Sequence, residues 1–272
     1  MNLTLEQKTK EFLKKNNIRP SKKLGQNFLV DEVILHKIIK ASRLTKSDLV
    51  VEIGPGIGTL TQELCKVAGE VIAIEKDRHL AKILEKNISK SGNIKILQKD
   101  ILASDDLLTI NNYKIVANLP YNIALPIIRK FVEGENPPQE MILMIQKEVA
   151  QKICSEKSSL PKIAIEFYAK SELLFFVPKE SFLPIPKVDG AVVRISDIQK
   201  NIPKVNQDLF FKILKAGFTH PRKTILNNLS VKLNIGKDKC KEWLNQCSIP
   251  LQNRPENLDL KDWLRLTYNF SL

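Results

Sequence analysis

Three short segments of this chain combine residue types that can do chemistry. The first, Glu52-Ile53-Gly54-Pro55-Gly56-Ile57-Gly58-Thr59, stands between a run of β-formers and a helical run. Glycines there let the backbone turn tightly and pass close to a ligand, although a plain tight connection uses them too. A dinucleotide fingerprint G-x-G-x-x-G would need glycine at position 59 or 61, where Thr59 and Thr61 stand. The second segment is the acid pair Glu75 and Asp100, each closing an apolar run. A carboxylate at the place of Glu75 can accept from both hydroxyls of a ribose, or simply pair with Lys76 or Arg78. Asp100 can accept from an exocyclic amine, or cap the segment 101–108.

The third segment is Asn118-Leu119-Pro120-Tyr121, after the run YKIVANL. An exocyclic amine on an aromatic ring is a poor nucleophile because its lone pair is delocalised. The Asn118 side-chain oxygen and a neighbouring main-chain carbonyl can accept its two hydrogens and aim the lone pair. Pro120 stiffens the loop and removes a competing N–H. Tyr121 offers a flat face to a base. A proline turn with a core tyrosine is the bland alternative. Phe182, among the prolines of SFLPIPK, can supply a second stacking face or pack in the core.

The elements that must position these residues alternate. LVVEI (49–53), EVIAIE (70–75), NIKILQ and YKIVANL read as strands, the first two as buried runs. TLTQELCKVAG, DRHLAKILEKNI and the stretch around PIIRKFVEG read as helices, with Gly69 as the residue just past the first. EMILMIQKEVAQKI reads as a strand passing into a helix. DEVILHKIIKAS has helical spacing, Asp31 as its N-cap, and Val33, Leu35 or Ile34, and Ile38 on one side. This order demands a parallel sheet covered by helices, with ligands beyond the carboxyl ends of its strands. LLFFVP and AVVRI read as a closing antiparallel pair. Beyond residue 200 the helical runs LFFKILKAGF, KTILNNLSVKL and KDWLRLTYNF indicate a second domain. The expected division is 1–200, catalytic with a basic N-terminal arm, and 201–272, helical.

Lys and Arg total 43 against 30 Asp and Glu, a formal charge of +13, which points to a polyanionic partner, most simply nucleic acid. The basic residues cluster: Lys8, Lys10, Lys14, Lys15, Arg19, Lys22 and Lys23 in the arm, and seven more from Lys200 to Lys232 against one acid. Cys65, Cys154, Cys240 and Cys247 form no CxxC pair and the three histidines are scattered, so no metal site is expected. Reduced structural thiols in a cytosolic protein are the expectation. No apolar run approaches the ~20 residues a membrane span needs, and the N-terminus lacks a secretory core. A soluble, cytoplasmic chain without membrane contact is expected.

Together the motifs resemble the KsgA/RsmA family of 16S ribosomal RNA adenine dimethyltransferases. The segment from Glu52 to Gly58 resembles the first motif of methyltransferases that use S-adenosylmethionine (AdoMet). Asn118 to Tyr121 is similar to the signature of those that methylate planar amines. The likeness extends over Lys23 to Leu29 (KLGQNFL), Glu75-Lys76-Asp77, Ser181 to Asp189 (SFLPIPKVD), Arg222-Lys223-Thr224 and Arg254 to Leu258 (RPENL). It implies a Rossmann-like α/β class I methyltransferase sheet with a small all-helical C-terminal domain. It implies N6,N6-dimethylation of two adjacent adenosines in a hairpin loop near the 3′ end of 16S rRNA in the small ribosomal subunit, with S-adenosylhomocysteine as product and a monomeric enzyme. Donor contacts are implied at Asn27, Leu29, Gly54, Gly56, Glu75, Asp100 and Asn118. Asn118, Leu119, Pro120, Tyr121 and Phe182 are implied around the target base. Residues 26–29 become a flap over the donor rather than a simple helix entry. Gly190, where serine is expected, and Ala124-Leu125, where a more polar pair is expected, are departures. A 23S rRNA adenine methyltransferase, a non-catalytic ribosome-binding factor and a NAD-dependent oxidoreductase are the competing readings.

Overall fold

A computed structural model describes residues 3–21, 24–88, 91–104 and 110–270. Lys22 and Lys23 of the basic arm, and half of the segment that Asp100 was expected to cap, lie outside the described residues. The chain forms two compact units, Met1–Ala150 with Lys170–Ile198, and Gln151–Ala169 with Gln199–Leu272. The stretch 151–169 therefore joins the second unit, where a boundary at 200 had assigned it to the first. The reason is aromatic packing: Phe167 lies 4.5 Å from Phe210 and Tyr168 stacks 5.9 Å from Phe211.

The first unit begins with α1 (Leu5–Lys15), closed at its start by a Thr4–Gln7 capping box. After it come the short strand β1 (Phe28–Leu29) and α2 (Glu32–Ser42). Asp31 caps α2 as expected, its carboxylate accepting from the amides of Val33 and Ile34. The buried side of α2 is Ile34, Leu35 and Ile38; Val33, expected on it, is 63% exposed. Alternation then sets in: β2 (Leu49–Ile53), α3 (Thr59–Val67), β3 (Glu70–Glu75), α4 (Arg78–Ile88), β4 (Ile94–Gln98), β5 (Tyr113–Asn118), α5 (Ala124–Glu133), β6 (Met141–Gln146) and α6 (Lys147–Cys154). α7 (Leu160–Glu166) belongs to the second unit. The first unit resumes with β7 (Lys170–Val177), β8 (Phe182–Leu183) and β9 (Gly190–Ser196).

Seven strands form one sheet in the order β4-β3-β2-β5-β6-β9-β7. The first five run parallel, and β9 is antiparallel to both β6 and β7. The central strands are apolar almost throughout because both faces are covered, whereas the edge strands β4 and β7 are half-exposed and carry polar residues. β2 is the switch point: β3 and β4 lie on one side of it, β5 and β6 on the other. A crevice at its carboxyl end follows from that reversal. A separate two-stranded pair joins β1 to β8, Leu29 opposite Phe182.

The second unit adds α8 (Gln207–Gly217), α9 (Ile225–Lys232), α10 (Lys237–Gln246) and α11 (Leu260–Tyr268). Its core holds Trp243, Trp263 and the buried free thiols Cys240 and Cys247. Its basic side chains Lys215, Arg222, Lys223 and Lys232 are exposed. Among the described residues no helix is long and apolar enough to cross a membrane.

Gly69 stands just past α3, as expected, with Ala68 as the C-cap and without a left-handed backbone. Glycine is needed because a Cβ there would stand 2.3 Å from the Lys46 carbonyl oxygen, a backbone atom that cannot step aside. Gly69→Ala is expected to lower stability by about 1–3 kcal/mol, the usual range for overpacking. Urea unfolding followed by circular dichroism would register this as a lower midpoint with an unchanged slope.

Candidate active site

The crevice beyond β2 opens into a cleft of about 1150 Å³, its solvent-open mouth included. The glycine turn, Glu75, Asp100, Asn118 to Ile123 and residues 24–29 all line it. Glycine is required in the turn on two grounds. Gly56 and Gly58 have φ of +60° and +88°, which L side chains rarely adopt. A Cβ on Gly56 would press on the Phe28 ring at 3.0 Å, and one on Gly58 on Leu84 at 2.5 Å. The turn is thereby free to offer its backbone: the Gly56 N–H donates 3.0 Å to Glu75 Oε2.

Glu75 is buried at the end of β3. Its other oxygen, Oε1, accepts from the Asp77 N–H at 2.8 Å. Burial raises its pKa, while the amides of Asp77 and Gly56 pull it back and Asp77 pushes it up again. A carboxylate oxygen has two lone-pair sites, so each oxygen keeps one acceptor site beyond these amides. The alternative of a pair with Lys76 does not hold, because Lys76 reaches across to Asp100 Oδ2 at 2.7 Å. That contact and the Leu102 N–H at 3.1 Å keep the Asp100 carboxyl below its ordinary value, so it is ionised at neutral pH. Asp100 thus makes a local turn and faces the cleft at once.

Across the crevice, Asn118 ends β5. Its Nδ2 donates 3.2 Å to the carbonyl oxygen of Asn27, which fixes the amide's sense. Asn27's own side chain turns away and donates to the Gly25 carbonyl at 3.2 Å. Leu29 is buried and apolar on the same wall, and Leu119 is buried beneath the loop. Residues 26–29 are a loop running into β1, not a helix entry. Pro120 and Tyr121 stand at the cleft. The Tyr121 hydroxyl is buried without a hydrogen-bond partner among the described residues, and burial pushes its pKa up to about 12, with Asp189 and Glu148 adding to the rise.

Phe182 is placed differently from the expected stacking face. Its ring is 1% exposed, packed in the main core, and does not line the cleft. It meets Tyr121 edge-on with centroids 6.3 Å apart, so it backs the tyrosine rather than offering a face to a base. The pairing of β8 with β1 draws it inward. Gly190 lies beside them; a Cβ there would sit 3.4 Å from both the Phe182 ring and the Tyr121 hydroxyl.

Glu52 opens the first motif read from the sequence, but no role of its own was assigned to it; it is an acid inside the buried strand β2, 2% exposed, and it lines the cleft. Its Oε2 finds no hydrogen-bond partner among the described residues. Burial pushes its pKa up to about 8, Thr61 opposing and Glu75 adding to the rise. The acid in the run LVVEI was the available sign.

This sheet, with its switch-point crevice, acidic strand ends and Asn-Leu-Pro-Tyr loop, is that of a class I AdoMet-dependent methyltransferase. Residues 16–270 match the family model described as ribosomal RNA adenine dimethylase, and the chain belongs to that family. It is 39% identical over 266 residues to ribosomal RNA small subunit methyltransferase A of Clostridioides difficile, covering 94% of this chain and 92% of that one. It is 41% identical over 254 residues to the protein of the same name in Fusobacterium nucleatum, covering 90% and 95%. Among solved structures, a dimethyladenosine transferase from Plasmodium falciparum aligns with a TM-score of 0.73 at 28% identity, over 89% of this chain and 97% of that one. The 23S rRNA methyltransferase ErmE shares the fold, with a TM-score of 0.71 at 24% identity, over 90% of this chain and 100% of that one.

Glu52 yields a pH test. In the unfolded chain it ionises near 4.5, in the folded protein near 8, so the folded state holds the extra proton between these values. Stability must therefore fall as pH rises from about 5 to 8 and level off above. Glu52→Gln removes that slope. Its melting temperature should exceed that of the parent by a margin that widens up to pH 8, where the difference is on the order of a few kcal/mol. Parallel melting curves across this range would refute the assignment.

Proposed function

We propose that this chain transfers methyl groups from AdoMet to N6 of two adjacent adenosines in a hairpin loop near the 3′ end of small-subunit rRNA, giving N6,N6-dimethyladenosines. The observation that carries this reading is the fixed sense of the Asn118 amide. A carbonyl oxygen can only accept, so the Asn27 carbonyl engages the NH₂ of Asn118 and leaves Oδ1 as the acceptor for an amine hydrogen. A planar amine held that way has its lone pair out of the ring plane, free to attack.

The residues present suit the donor. Glu75 retains acceptor sites for a ribose diol, the glycine turn brings bare backbone alongside, and Leu29 gives an apolar wall. Asp100, ionised and at the cleft, accepts from an adenine amine. When bound, AdoMet supplies an electrophilic methyl group on a positively charged sulfur. The protein's contribution is placement and dipole alignment. Asn118 Oδ1 orients the amine, Pro120 stiffens the loop and Tyr121 gives the base its flat neighbour. The amine becomes strongly acidic as its new bond forms, so no strong base is required. For the second transfer only one N–H remains for Asn118 to hold.

A base stacked in a duplex cannot reach this crevice, whereas loop adenosines are cheap to extrude. Lys8, Lys10, Lys14, Lys15 and Arg19 on the first unit, and the basic helices of the second, supply phosphate contacts. The working form in this reading is a cytoplasmic monomer acting on a small-subunit particle.

Purified protein given labelled AdoMet and undermethylated small subunits should label two neighbouring adenosines, mapped by mass spectrometry. Label confined to 23S rRNA, or none, would overturn the reading. Asn118→Ala should lower kcat by about 10²-fold, the size typical of losing one oriented polar contact in a transition state. RNA affinity should drop at least about tenfold between roughly 50 and 200 mM salt if several phosphates are neutralised; filter binding would measure it.

A further inference from the structure

Beyond the pairing of β1 with β8, two side-chain contacts fasten the wall of residues 24–29. One is the Asn27–Asn118 contact. The other is Gln26, whose Nε2 donates 3.2 Å to Asp77 Oδ2, 51 residues along the chain. The Oε1 of the same carboxamide accepts from the Ser21 N–H at 2.8 Å, and the Gln26 N–H donates back to the Ser21 carbonyl at 3.2 Å. Gln26 borders the cleft, yet both ends of its carboxamide are engaged by protein.

Asp77 holds three things together. Its Oδ1 caps the helix that follows, accepting from His79 and Leu80 at 2.8 and 3.2 Å. Its Oδ2 takes Gln26. Its own N–H donates to Glu75 Oε1 at 2.8 Å, and Glu75 Oε2 accepts from Gly56. The bonds run unbroken from the flap through Asp77 and Glu75 to the glycine turn.

We infer that Gln26 is a positioning residue for the methyl donor: it latches the flap to Asp77 and so holds Glu75 and the flap in one arrangement. The polarity admits few substitutes. The Ser21 amide can only donate and Asp77 Oδ2 accepts, so the bridge needs an acceptor at one end and a donor at the other. Glutamate matches the length but sets carboxylate against carboxylate. The inference rests on the reading that this cleft holds AdoMet.

The polarity also provides the test. In Asp77→Asn alone, one end of the bridge faces donor against donor. In the double variant Gln26→Glu with Asp77→Asn, the carboxylate introduced at position 26 accepts from both the Ser21 N–H and the NH₂ introduced at position 77. The oxygen of that new carboxamide still caps the helix. Binding of AdoMet and S-adenosylhomocysteine would be measured by calorimetry, alongside kcat and KM for AdoMet. Each single variant should weaken donor binding by about tenfold or more, as expected for losing a hydrogen bond to a charged group, with kcat at saturating donor within about threefold of the parent. The double variant should return to within about threefold of the parent's affinity. Single variants within about twofold of a tightly binding parent, or a double variant no tighter than the weaker single, would overturn the latch. A parent that binds neither compound would overturn the reading of the cleft, and the latch with it.

Discussion

The contact on which the site depends is the hydrogen bond from the Gly56 amide to the Glu75 carboxylate. It joins the carboxyl ends of neighbouring parallel strands, β2 and β3, across the point where the glycine turn leaves the sheet. A carboxylate this buried is disfavoured as an ion unless donors reach it. Two backbone amides do so, and neither can be removed by substituting a side chain. The acceptor needed at this place is thus held by main chain, and the glycines are what allow the main chain to come close enough.

Glu52 and Glu75 are both raised in pKa by burial but differ in their hydrogen-bond donors. They end on adjacent strands of one cleft and repel each other. Glu75 has two amide donors, whereas one oxygen of Glu52 has no partner among the described residues. Two carboxylates so placed do not both ionise easily, and Glu52, pushed up to about 8, keeps its proton at neutral pH. Protonated Glu52 keeps one negative charge out of the cleft.

The parallel order of strands and the residues at their ends were legible because they follow from local rules: apolar runs, turn glycines, an acid or amide at each strand end. What could not be read depended on neighbours distant in sequence. Gly69 looks like a helix terminator, yet its constraint is the Lys46 carbonyl. Phe182 among prolines looks like a loop aromatic free to stack, yet pairing with β1 buries it. The transfer of 151–169 to the helical unit rests on four aromatic rings from two separated stretches, which no local pattern encodes. Gln26 and Asp77 belong to motifs that are recognisable separately; only the fold shows them bonded.

The Asn118–Asn27 contact bears on why donor and acceptor sites can be built so close together. A carboxamide alone is ambiguous, since either end can face a ligand. The Asn27 carbonyl resolves this by accepting only, so the NH₂ is taken and the oxygen is left for the base. Asn27 lies on the wall that also carries Leu29 and Gln26 along the cleft. The segment that forms one side of the donor's cavity therefore also sets which atom of Asn118 meets the amine. Were that segment displaced, Asn118 would lose its orienting partner at the moment the donor lost its wall. Correct aim at the amine is in this way tied to a closed cavity, and the tie consists of one backbone carbonyl.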